Sequence, residues 1–371
     1  TCRLEANPVH FLDGTTAIAA VFKDEILLAA CLLVPVPVLA VTGNLLIMAA
    51  VARIQSLWTP TNAFVVSLAA ADFLVAVLVM PFSLVRSVDR WRFGDGFCRV
   101  HFILDVTFCT SSIFNLSCIA LERYVAVCDP LRYPARMSPR RVAALLLLCW
   151  TLPLLISVLC VSLGASSPAP AAPSNSSGAQ ACPATFSVPF AFASSSMSFF
   201  VPMVFMLFTY GRIYVVAQKQ ARWIHAVQRH SEQLQMNRSR RRATSRPVRA
   251  YVERFTLKRE SKAAKTLGLI MGVFLVCWLP FFCLNMIHPL KGYTVSPLIL
   301  EASTWLGYAN SSLNPFLYVL FNKNYRRLFA AWLDCGTLGR RLSLKFGRPT
   351  HSVYLYSIST INESLLCLMY D

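Results

Sequence analysis

Residues 100–127 read VHFILDVTFCTSSIFNLSCIALERYVAV, an apolar run that carries one carboxylate, Asp105, near its start and closes on Glu122-Arg123-Tyr124. Eighteen residues separate Asp105 from Arg123. At about 1.5 Å of helical rise per residue this is about 27 Å, close to the hydrocarbon thickness of a bilayer. One helix therefore holds an anion near one side of a membrane and a cation at the other. A carboxylate inside a span costs about 2.5–3.5 kcal/mol on insertion scales, so Asp105 is expected to face a bundle interior and to meet a cationic partner.

The remainder of the chain fits that setting. With 56% hydrophobic and 14% charged residues, its 371 residues are too apolar for an ordinary soluble domain. Long apolar runs at Ile26–Ala52, Ala63–Val85, Val100–Val127, Val142–Leu163, Phe186–Val216, Ala263–Ile287 and Pro297–Phe321 predict an all-α, seven-transmembrane helix bundle. The first run is longer than the apolar core of a cleaved leader and leads straight into a second span, so it reads as a membrane helix. Lys and Arg favour the connections after helices one, three, five and seven, which places those inside and the N-terminus outside. The chain thus divides into an extracellular N-terminus (1–25), a membrane domain (26–321) with a basic cytoplasmic loop at about 218–261, and a cytoplasmic tail (322–371).

The net charge of +18 comes mostly from that loop and the tail. Basic inner loops follow from the insertion rule and are drawn to anionic lipid. No aromatic-interleaved basic domain accompanies them, which argues against nucleic acid as a partner. The 13 cysteines are spread along the helices without metal-ligand spacing and read mostly as small buried hydrophobes. Cys98, at the outer start of helix three, and Cys182, in the outer loop after helix four, both face the oxidising side; a disulfide between them is expected. Asn175-Ser176-Ser177 in that loop is a glycosylation acceptor.

In order along the chain, Gly43-Asn44, Leu68-Ala69-Ala70-Ala71-Asp72, Glu122-Arg123-Tyr124, Trp150, Pro202 with Tyr210, Cys277-Trp278-Leu279-Pro280 and Asn314-Pro315-Phe316-Leu317-Tyr318 each fall on their own span. Taken together they resemble the rhodopsin-like (class A) G protein-coupled receptors, from Gly43 to Cys335. The resemblance implies a sodium site formed by Asp72, Asn44 and Asn314, with no other metal or cofactor. It implies an inner latch between Arg123 and Glu260, with Tyr210, Asn314, Pro315 and Tyr318 in the switch. Ile113, Pro202 and Phe274 match the family's packing trio. On the residues alone, Pro202, Pro280 and Pro315 remove helical hydrogen bonds and set either kinks that swing or static bends.

Within that family, Asp105 and its surroundings resemble the amine receptors, where the carboxylate pairs with a ligand ammonium. Met80-Pro81-Phe82-Ser83, Cys128-Asp129-Pro130-Leu131 and Lys262-Ala263-Ala264-Lys265 look most like trace amine-associated receptors. Trp305-Leu306-Gly307-Tyr308 and Asn322-Lys323-Asn324-Tyr325 look more like β-adrenergic, histamine or serotonin receptors. Cys109 lies one turn inward of Asp105. Trp278, Phe281 and Phe282 suit a cation or an aryl ring, and Trp305 and Tyr308 could enclose the ammonium. Ser194, Ser195 and Ser198 share a face; hydroxyls there either bond a catechol or phenol or mediate helix packing, and both readings stay open. Glu301 is either a surface acid or a second anion that could bracket a diamine with Asp105.

After helix seven, Tyr325, Leu328, Phe329 and Trp332 form an apolar stripe beside basic residues. This predicts a short amphipathic helix on the inner leaflet, and Cys335 follows it as a palmitoylation site. The function expected is a multi-pass plasma-membrane receptor, not an enzyme, in which a small protonated amine opens a cytoplasmic cleft. A heterotrimeric G protein of the stimulatory type would bind there, with arrestin and receptor kinases as further partners by resemblance. An amine transporter is the rival from another class, disfavoured by seven spans without an internal repeat.

Overall fold

The computed structural model describes residues 31–88, 91–164, 187–239, 249–321 and 325–326; over 231–239 and 249–268 only the backbone is described. Seven long helices account for most of these residues. They are α1 (Pro35–Arg53), α2 (Pro60–Val88), α3 (Gly94–Cys128), α4 (Pro139–Gly164), α5 (residues 188–239), α6 (Arg249–Leu290) and α7 (Pro297–Phe321). There is no strand among the described residues. Helix α3 packs against α2, α4 and α5, while α1, α2, α4, α5, α6 and α7 touch in sequence and α7 returns to α1, which closes a ring around it.

The side chains are sorted inside out relative to a soluble bundle. Val201, Phe208 and Val276 point outward and are more than 60% exposed, whereas Asn44, Asp72, Asn115 and Asn314 are buried. Hydrocarbon explains both halves of that pattern, because lipid tolerates apolar side chains and penalises polar ones. Six of the helices are long and apolar enough to cross a membrane; α7, at 25 residues, has the length but not the composition. Its Asn310, Ser311, Ser312 and Asn314 are all buried, so its polarity faces the other helices.

Local chemistry sets the helix ends and irregularities. Helix α2 begins at Thr59-Pro60, where the Thr59 hydroxyl accepts from the Asn62 N–H and the proline occupies the first helical position. Two π turns, Val75–Val79 in α2 and Ser196–Phe200 in α5, precede Pro81 and Pro202. A proline cannot donate to the carbonyl four residues back and crowds it; in both cases that carbonyl falls inside the π turn, which relieves the clash by widening. The basic segment expected as a loop at 218–261 is instead helical over residues 218–239 and 249–261. Once clear of lipid a helix needs no apolar side chains, and Arg, Lys and Gln are good helix formers.

Close approach between helices depends on absent side chains. A Cβ on Gly43 of α1 would stand 2.7 Å from Cγ of Pro315 in α7. That ring is rigid and cannot swing away. Trp150 of α4 donates to Ser67 of α2 at 3.0 Å, a second polar tie across the bundle. Gly43→Ala is therefore expected to destabilise the bundle by about 1–3 kcal/mol, the usual cost of overpacking. A lowered thermal midpoint of the detergent-purified protein would register it.

Candidate ligand-binding site

A cavity of about 400 Å³ lies among the outer halves of α3, α5, α6 and α7. Its walls include Asp105, Cys109, Ser194, Ser195, Ser198, Trp278, Phe281, Phe282, Glu301 and Tyr308, residues drawn from four helices. Asp105 is half-buried. The Tyr308 hydroxyl donates to its Oδ2 at 2.8 Å, and the Cys109 thiol donates to Oδ1 at 3.3 Å. Ion pairs among the described residues join Arg86 to Glu301, Arg123 to Glu122 and Arg136 to Asp129. None includes Asp105. The cationic partner expected from the sequence is thus not supplied by the described protein side chains.

The aromatic wall is deeper than the sequence stripe suggests. Trp278, Phe281 and Phe282 lie within 6.1 Å of one another centroid to centroid, and Phe199 of α5 stacks on Phe282 at 4.5 Å with the planes 7° apart. Phe199 sits in the π turn, which the sequence did not reveal. Gly307 lets α7 reach this wall, since a Cβ there would meet the Trp278 ring at 2.8 Å.

The serines are brought to the cavity. Ser195 accepts from the Asn285 side chain at 2.9 Å, and Ser194 bonds the Ala191 carbonyl at 3.3 Å. Asn285 was not anticipated, although it continues the Trp278, Phe281, Phe282 stripe by one further helical turn. Trp305 departs from expectation: its indole N–H donates to Ser87 at 3.0 Å and it does not line the cavity. A large ring with one donor packs where that donor is met. Glu301 does line the cavity, but its Oε1 lies 2.7 Å from the Ser87 hydroxyl and 3.8 Å from Nε of Arg86.

At mid-depth, Asp72 is fully buried and its carboxylate is satisfied by uncharged donors. Ser112 and Ser311 donate to Oδ1 at 2.9 and 2.8 Å, and Asn314 to Oδ2 at 2.7 Å. Asn44 donates to the Ala40 carbonyl and to the carbonyl of Ser311, the residue whose hydroxyl reaches Asp72. The two serines were missed because single hydroxyls in a span usually bond their own helix backbone. Ile113, Pro202 and Phe274 are all buried, and Phe199 lies 5.7 Å from Phe274.

At the inner end Arg123 is held by its neighbour. Its Nε and Nη2 reach the two oxygens of fully buried Glu122 at 2.6 and 3.0 Å, and it also donates to Thr61. Tyr133, just beyond α3, donates to Glu122 at 2.7 Å. Burial, reinforced by this carboxylate, pushes the Tyr133 phenol above its ordinary range, so it remains a donor. Tyr210 and Tyr318 are half-buried on α5 and α7. The Glu260 side chain, Cys182, Asn175 and Cys335 lie outside the described residues; Cys98 is disulfide-bonded.

Comparison with known proteins agrees with this arrangement. Residues 43–318 match the 7 transmembrane receptor (rhodopsin family), and the chain belongs to that family. It is 42% identical over 307 residues to the guinea-pig (Cavia porcellus) 5-hydroxytryptamine receptor 4, covering 80% of this chain and 77% of the relative. It is 38% identical over 345 residues to a D(1) dopamine receptor of Carassius auratus, covering 88% and 94%. Against trace amine-associated receptor 1 of Mus musculus it is 37% identical over 288 residues, covering 77% and 82%. Identities this close across three receptor groups match the mixed texture of the motifs.

The inner geometry yields a prediction. Glu122→Gln removes the charge that holds Arg123, so agonist-free nucleotide exchange on a co-expressed heterotrimeric G protein is expected to rise several-fold. Tyr133→Phe removes one donor only and is expected to give a smaller rise in the same assay.

Proposed function

We propose that this chain is a cell-surface receptor for a small protonated monoamine, with Asp105 holding the ammonium. One observation carries the reading: a carboxylate on the wall of a 400 Å³ cavity is fixed by a hydroxyl and a thiol, with no ion-pair partner among the described residues. In so apolar a setting a negative charge gains most from a cation that arrives with the ligand. The relatives are named for 5-hydroxytryptamine, dopamine and trace amines, all amines, which supports the same class.

A ring attached to the amine fits against Phe281, Phe282 and Trp278, and its polar substituents fall toward Ser194, Ser195 and Asn285. Glu301 favours a monoamine over a diamine, because a second ammonium there has to displace Arg86 and the Ser87 hydroxyl. The N-terminus lies outside, on the distribution of Lys and Arg. Amine binding shifts a pre-existing equilibrium toward a state in which the hold on Arg123 is released and the cytoplasmic cleft opens. The partner expected at that cleft is the stimulatory heterotrimer, followed by receptor kinases and arrestin, on the family resemblance.

The mid-depth site fits a sodium ion by its chemistry: Asp72 supplies charge, and Ser112 and Ser311 supply neutral oxygens, the hard donor set such a cation takes. Sodium chloride is then expected to raise the thermal midpoint of the purified receptor above the value in the choline salt. The same comparison on Asp72→Asn should show no difference.

The central reading is tested by cAMP responses to an amine panel, with surface expression matched by an epitope tag. Asp105→Ala leaves the ammonium unpaired at a cost of about 3 kcal/mol or more, so potency should fall at least about 100-fold. Glu301→Ala is expected to retain the monoamine responses. A normal response of Asp105→Ala to every active amine overturns the assignment.

A further inference from the structure

His101 is fully buried on α3, one turn outward of Asp105, and does not line the cavity. Its Nε2 lies 3.2 Å from the Val79 carbonyl and 3.4 Å from the Ser83 hydroxyl, both on α2. Ser83, also fully buried, lies 3.1 Å from the Tyr308 hydroxyl on α7, which in turn reaches Asp105 at 2.8 Å. Three helices are thereby joined through four side chains.

The direction of every proton in this series follows from its two ends. Asp105 as a carboxylate can only accept, so the one hydrogen of Tyr308 goes to it. Ser83 must then donate its own single hydrogen to the Tyr308 oxygen. With that hydrogen committed, Ser83 can only accept from His101. At the other end the Val79 carbonyl likewise only accepts, which requires the hydrogen of the imidazole on Nε2, where that one hydrogen is shared between the carbonyl and the Ser83 oxygen. Both ends demand the same tautomer. The Val79 carbonyl belongs to the last residue of the π turn in α2.

We infer that His101 is a positioning residue for the amine-binding carboxylate: its Nε2–H begins a one-way hydrogen-bond chain through Ser83 and Tyr308 that keeps the Tyr308 hydroxyl turned onto Asp105. Without that N–H, Ser83 is free to donate back to the Val79 carbonyl or to rotate, and Tyr308 loses the donor that keeps its own hydrogen pointed at the carboxylate. Asp105 then turns within the cavity. This rests on the reading that Asp105 holds the agonist's ammonium, but the coupling between His101 and Tyr308 exists whether or not an amine binds.

The test uses full-length receptor at matched surface expression, with two readouts: cAMP potency of the most active amine, and the thermal midpoint of the purified protein without amine. His101→Leu is expected to lower potency about tenfold, the scale of one hydrogen bond to a charged group. His101→Gln places an amide N–H at the reach of Nε2 and should restore potency to within about threefold of wild type; His101→Asn, one bond shorter, should behave as His101→Leu. In a Tyr308→Phe background His101→Leu should cost nothing further in potency, and the midpoint losses of the two substitutions should be less than additive. Ser83→Ala interrupts the same chain with little change in bulk, and keeps the test open if a His101 variant fails to reach the surface.

Full additivity with Tyr308→Phe, or equal potency of the Leu, Asn and Gln variants, overturns the inference and leaves His101 as core packing. A normal amine response of Asp105→Ala would overturn the ligand assignment instead, while the amine-free midpoints would still decide whether His101 and Tyr308 are coupled.

Discussion

Three carboxylates spaced along the described bundle, Glu122, Asp72 and Asp105, are each answered by groups that the protein itself brings inward, as hydrocarbon requires. Glu122, at the inner end, is met by a guanidinium and a phenol. Asp72, at mid-depth, is met by two hydroxyls and an amide, neutral donors that leave its charge uncompensated. Asp105, facing the cavity, is met by one hydroxyl and one thiol. Compensation thus weakens from Glu122 through Asp72 to Asp105, while Glu301, also on the cavity wall, is held by Arg86 and Ser87. Asp105 is thereby left without a cation among the described side chains, whereas Glu122 already holds one.

The helices that carry these groups are irregular where the groups sit. The π turn in α2 ends at Val79, four residues before Ser83, and the π turn in α5 carries Ser198 and Phe199. Each is followed closely by a proline, and the widened turn re-aims the side chains around it relative to a continuous α-helix. Glycines act in the opposite sense, removing bulk so that α7 can lie against Pro315's neighbour on α1 and against Trp278 on α6. Because α7 is pinned on both sides, Tyr308, Ser311 and Asn314 arrive at α2 and α3 with bonding distances of 2.7–3.1 Å.

Much of this was legible beforehand. Seven apolar runs, the bias of Lys and Arg, and a carboxylate eighteen residues from Arg123 indicated a membrane bundle with an inward anion, because insertion energetics act on composition and spacing directly. The helical stripe Trp278, Phe281, Phe282 and the serines of α5 reached the cavity as their periodicity implied. Trp305 did not, since one donor on Ser87 decided its orientation. Glu301 proved engaged rather than open, through Arg86 and Ser87 on a helix more than two hundred residues away in sequence.

Sequence alone determined which polar residues must turn inward and which segments must span the membrane as helices, because hydrocarbon selects for both through side-chain polarity and run length. Only the tertiary structure decided who answers whom: that Ser112 and Ser311 join Asn314 in holding Asp72, that Glu122 grips Arg123, and that His101 is linked through Ser83 and Tyr308 to Asp105. Those partnerships depend on helix rotation to within a fraction of a turn, on π turns and on glycine contacts. Hydropathy carries none of that information, since a hydroxyl or an imidazole in a span has several neighbours within reach and packing leaves it one.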